Sequence, residues 1–78
     1  SKGKTKSTLD ARSMLARGEH PKGLVLDELA NLNDGEMFVL ITPFVPGPLV
    51  EIARADGFQT WTKQGEKGIV ETYFSKGQ

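Results

Sequence analysis

The sequence predicts an α+β domain, a two-layer α/β sandwich of order β-α-β-α-β-β, in which a four-stranded mixed sheet carries two helices on one face. Three observations lead there. Met37-Phe38-Val39-Leu40-Ile41 is apolar at every position, the pattern of an interior strand covered on both faces. Two stretches, Val25 to Leu32 and Leu49 to Ala53, space apolar residues at helical intervals, each behind a proline. Two runs near the carboxyl end, Phe58 to Lys63 and Ile69 to Ser75, alternate as half-buried strands do.

Taken in order, Lys2, Lys4 and Lys6 alternate with small polar residues, so residues 1–6 read as a disordered basic tail and residues 7–76 as the single domain. Ser7 to Ala11 is a short extended segment with Leu9 as its apolar member, followed by a loop from Arg12 to Arg17. Pro21 suits a first helical turn, where its missing N–H costs nothing. Val25, Leu29 and Leu32 then fall on one face, with Leu26 and Ala30 beside them, and Asp34-Gly35 reverses the chain. After the apolar strand, Pro43, Pro46, Gly47 and Pro48 form a stiff loop into the second helix, with Gly57 as its left-handed stop. The last two strands are joined by Gln64-Gly65-Glu66-Lys67-Gly68. Phe58, Thr60 and Thr62 share one face of the first of them, and Gln59, Trp61 and Lys63 the other. Two helices cover only one face of such a sheet, so Trp61 and Tyr73 are expected on the open face as contacts for a partner or a second copy.

The chain has 78 residues and no cysteine. A domain this small buries only ~60% of its unfolded surface, and no disulfide can staple it, so stability rests on packing. Ten basic residues balance ten acidic ones, which removes the summed field of a nucleic-acid or anionic-membrane binder. No apolar run approaches the ~20 residues that span a bilayer, and no signal segment opens the chain. The expectation is a soluble, cytoplasmic protein, a monomer or weak dimer.

The opening Leu9-Asp10-Ala11-Arg12, Pro21 at the start of an apolar helix, and Leu32-Asn33-Asp34-Gly35-Glu36 before an apolar strand resemble the TusA-like, or SirA-like, sulfur-carrier family. That family shows a Leu-Asp opening, a Cys-Pro-x-Pro at the first helix and a Pro-Gly-Glu or similar turn into the second strand. The resemblance covers nearly all of the chain after residue 7. Here Pro21 matches the second proline, Gly18 falls on the cysteine position and Glu19 replaces the first proline. Persulfide carriage needs a polarizable thiolate, and glycine offers no such atom. The Glu-His-Pro form and the Pro43-Phe44-Val45-Pro46-Gly47-Pro48-Leu49 segment look closer to a cysteine-lacking, uncharacterised branch of that superfamily. The resemblance to that branch implies a redox, respiratory or metal-related setting.

The resemblance also implies that the first two strands run parallel, which starts both helices at one edge of the sheet. Arg12, Arg17, Gly18, Glu19, His20, Pro21, Pro43, Pro46, Gly47 and Pro48 would gather there. Free N–H groups at two helix starts, with arginines nearby, suit a small anionic ligand or a partner's acidic segment. His20 is the only imidazole, but a lone histidine with Glu19 makes no metal site, and its ordinary reading is a helix-start residue. No catalytic residue, metal or cofactor is assigned, because no nucleophile elbow, zincin motif, phosphate loop or dinucleotide fingerprint occurs. The expected function is a non-enzymatic binding or partner module. Alternatives are an accessory protein of a sulfur-relay pathway and an RNA-binding module using Lys2, Lys4, Lys6, Trp61 and Tyr73.

Overall fold

The computed structural model describes residues 4–77. The elements run β1 (Lys4–Asp10), α1 (Arg12–Ala16), α2 (Lys22–Ala30), β2 (Glu36–Thr42), α3 (Gly47–Ala55), β3 (Phe58–Gln64) and β4 (Val70–Lys76). The strands form one mixed sheet in the order β1-β2-β4-β3, with β1 and β2 parallel and the other pairings antiparallel. The all-apolar strand is therefore interior, as its composition requires. Phe38 and Leu40 face the helices, whereas Met37 and Val39 face away and are each only 6% exposed.

All three helices pack on one face. Ala11 ahead of α1, Val25 and Leu29 of α2, Leu32 after it, and Ala53 of α3 close over Phe38, Leu40 and Phe74. The Phe38 and Phe74 rings stack at the centre, 5.8 Å between centroids, on neighbouring strands in direct register. Two polar contacts tie layers together: Ser7 Oγ donates to Glu28 Oε1 at 2.7 Å, and Arg54 Nε to Thr60 Oγ1 at 2.7 Å. Helix α3 stops where expected, with Asp56 as its C-cap and Gly57 at φ +92 next after it.

Two expectations are corrected. Arg12 to Ala16 is a helix rather than loop, so the sheet carries three helices and not two. Five residues are too few for a periodic pattern to emerge, yet Met14 and Leu15 pack against the core, and their burial draws the segment into a turn of helix. Lys4 to Lys6 belong to β1 rather than to a disordered tail, because the strand begins at Lys4, which pairs with Glu36. The β1–β2 register shifts between Thr5 and Ser7, around Lys6, whose amine donates to Asn31 O at 2.7 Å, just past the end of α2. A cation at a helix carboxyl end offsets the negative end of the dipole, so Lys6 has a structural partner. Lys2 lies outside the described residues.

Candidate functional site

Because β1 and β2 are parallel, the chain leaves both at the same edge of the sheet, and α2 and α3 start there. The approach to α2 is shaped by Gly18. Its N–H donates to Leu15 O at 3.0 Å and the Glu19 N–H to Met14 O at 2.9 Å, the paired bonds of a Schellman stop, with Gly18 at φ +80. Gly18 thus closes α1 in a backbone conformation that disfavours any side chain. Two residues on, His20 and Pro21 lead into α2, whose first turn has no side-chain cap and no acidic residue.

The approach to α3 is stiff. Pro43, Pro46 and Pro48 fix φ at three of the six positions from 43 to 48. The Thr42 hydroxyl donates to Phe44 O, and the Gly47 N–H donates to Val45 O at 3.0 Å, an inverse γ-turn around Pro46 at φ −85, ψ 67. This loop holds Phe44 and Val45 out, 55% and 46% exposed, rather than letting them fold into the core.

Between the two approaches lies an open cavity of about 240 Å³. Leu15, His20, Pro21 and Lys22 line it from the first approach, and Thr42, Phe44, Pro46, Pro48, Leu49 and Ile52 from the second. The lining is apolar apart from His20, Lys22 and Thr42, and it holds no carboxylate. Ile52 of α3, which lines the cavity, is 38% exposed.

Of the residues expected at this edge, the structure brings His20, Pro21, Pro46 and Pro48 into the groove, with Pro43 and Gly47 in the loop that shapes it. The two arginines are engaged elsewhere. Arg12 clasps Asp10 through Nε to Oδ1 at 3.0 Å and Nη2 to Oδ2 at 2.8 Å, while Arg17 meets both oxygens of Glu19 at 3.2 and 3.1 Å. The Arg12 side chain and backbone N–H hold the Asp10 carboxyl below its usual range, and Asp10 in turn raises Arg12. Each arginine therefore has a carboxylate two residues away, and the cationic side chain in the groove is Lys22. Sequence reasoning missed Leu15, Lys22, Thr42, Phe44, Leu49 and Ile52 as lining; the signal was Phe44-Val45, two large apolar residues between prolines.

Trp61 and Tyr73 do lie on the face away from the helices, as expected. They are direct cross-strand neighbours, both half-buried, and they stack with 2° between planes. Tyr73 is also the register partner of Val39, so the pair roofs the outer side of the interior strand. The Tyr73 hydroxyl donates to Glu71 Oε1 at 3.0 Å, which raises its pKa, with burial adding to the shift.

Among the described residues no group of three or more His, Cys, Asp or Glu is placed to hold a metal, and no helix is long and apolar enough to cross a membrane. No curated protein and no solved structure matches the chain. A family model described as "Uncharacterized conserved protein (DUF2249)" matches residues 8–76, nearly the whole of the domain just described. The chain belongs to the DUF2249 family of uncharacterised conserved proteins.

Proposed function

We propose that this chain is a non-enzymatic binding module on a TusA-like scaffold, acting in the cytoplasm by docking a partner into the groove between the starts of α2 and α3. The observation that carries this reading is the groove itself, an apolar cavity of about 240 Å³ whose rim exposes Phe44 on a loop too stiff to withdraw it. A redox, respiratory or metal-related setting follows from the resemblance to cysteine-lacking relatives of the sulfur carriers. Sulfur transfer by the chain itself does not, since its only sulfurs are the thioethers of Met14 and Met37, and neither forms a persulfide.

The groove changes what the edge is suited to bind. With Arg12 and Arg17 each clasping its own carboxylate, the site suits an apolar group better than a free small anion. Docking among sulfur-relay partners remains compatible with that surface. RNA binding has less support, because the aromatic pair is flanked by Glu71 and the chain carries no net charge.

Titrating labelled protein with phenyl-, indole- and alkyl-bearing fragments, alongside inorganic phosphate, tests the reading by amide chemical shifts. The expected movement is confined to residues 20–22 and 42–52 and is produced by the apolar fragments. No movement there, or movement only around Trp61 and Tyr73, overturns it.

A further inference from the structure

Building on the groove reading above, we propose that the occupant is a peptide segment of a partner protein in which an aromatic or long aliphatic side chain is followed closely by a carboxylate. The apolar side chain fills the cavity against Phe44 and Ile52, and the carboxylate meets Lys22. Three observations select this occupant.

The first is charge. Lys22 and His20 stand in a lining that contains no carboxylate, and Glu19, next to His20 in the chain, is held by Arg17. Among the described residues the ion pairs are Arg12 with Asp10 and Arg17 with Glu19, so the Lys22 amine is left for an incoming acid. A charge-assisted contact at the edge of an apolar pocket is strong because the pocket excludes water from one side of it.

The second is size. About 240 Å³ is below the roughly 300–1,000 Å³ of pockets that enclose a whole small molecule. It suits one inserted side chain.

The third is extent. Two further exposed apolar residues flank the lining in the chain: Val45, 46% exposed between two lining residues, and Leu24, 50% exposed one turn beyond Pro21. A ligand confined to the cavity would leave these uncovered, whereas a segment lying across the groove covers them while inserting its anchor.

The test is selection from a random short-peptide display library on the immobilised full chain, followed by titration of the enriched peptide into labelled protein. The expected result is enrichment of a large apolar residue with Asp or Glu within a few positions. The synthetic peptide then shifts residues 20–22 and 44–52. Lys22→Glu weakens it by about tenfold and, when selected against, turns the preference to basic peptides. Lys22 is exposed at the start of α2, so this variant keeps the fold, which unchanged Trp61 fluorescence confirms. Enriched apolar peptides without an acid, or equal binding by Lys22→Glu, overturn this inference and leave the groove reading standing. Failure of both peptides and apolar fragments to move the groove overturns both.

Discussion

The indole of Trp61 lies parallel to the phenol ring of Tyr73, with 2° between their planes and 5.2 Å between their centroids. They are the chain's only tryptophan and only tyrosine, so each reports on the pair without interference. Aromatic pairs contribute about 0.5–1.5 kcal/mol beyond their buried area. A double-mutant cycle of Trp61→Ala and Tyr73→Ala in urea unfolding should return a coupling of that size; a coupling near zero would show that the rings merely lie together.

The Tyr73 hydroxyl should titrate above its ordinary 10.0, because donating to Glu71 favours the neutral phenol and ionisation would set two negative charges together. The sign follows from linkage. A folded-state value above the unfolded one means that this contribution to stability is fully present below pH 10.0 and is lost as pH rises through the folded value. Absorbance of the phenolate should show one transition displaced upward, and Glu71→Gln should move it back down.

Asp10 carries the opposite sign. Its carboxyl is lowered by the hydrogen bond from the Arg12 side chain first and from the Arg12 backbone second, so its contribution is present above the ordinary 3.8 and fades as pH falls through the folded value. The pair is exposed, which keeps the effect on stability small. Carboxyl chemical shifts should show Asp10 titrating below the ordinary 3.8, and Arg12→Gln should raise it back toward that value; an unmoved midpoint would contradict the assignment.

Two glycines at the same edge should respond in opposite directions. Gly18 closes α1 at φ +80, and Gly18→Ala should cost about 1–2 kcal/mol even though open space surrounds the added methyl. Gly23 lies within α2 at an ordinary helical φ with nothing near its missing Cβ, so Gly23→Ala should stabilise by about 0.5 kcal/mol. Thermal melts of the two variants decide this: an unchanged or raised midpoint for Gly18→Ala would refute the Schellman assignment, and a lowered one for Gly23→Ala would refute the helical reading of Gly23.

Phe38 is fully buried and stacked on Phe74. Phe38→Ala should cost about 3–5 kcal/mol. A chain of this length has about 4–12 kcal/mol in total, so the variant should lose most of its cooperative urea transition. Retention of the wild-type midpoint would mean that the core lies elsewhere.

Much of this architecture was legible because it depends on local pattern. Met37 to Ile41 could only be an interior strand, and Gly57 could be read as a stop from its place after an apolar helical run. What escaped depends on distant partners. Lys4 to Lys6 look like a solvated tail until Glu36 and Asn31 O arrive from the far side of α2. Met14 and Leu15 look like loop until the core is there to receive them. At the candidate site, the prolines and His20 announced a shaped edge, but the engagement of Arg12 and Arg17 by Asp10 and Glu19 shifts its character from anion-binding to apolar. Both pairs sit two residues apart, a spacing whose geometry depends on the turns that α1 and its glycine impose.

The proline loop has a kinetic consequence. Three locked φ angles, a hydroxyl tether from Thr42 and a γ-turn at Pro46 leave little conformational freedom to be frozen when something lands on Phe44. A partner docking as proposed would therefore meet a surface already in its bound shape, and its recognition would be rigid-body. A well-shaped segment associates without waiting for the loop to reorganise, and a poorly shaped one gains nothing by lingering, because the surface it meets does not remould around it.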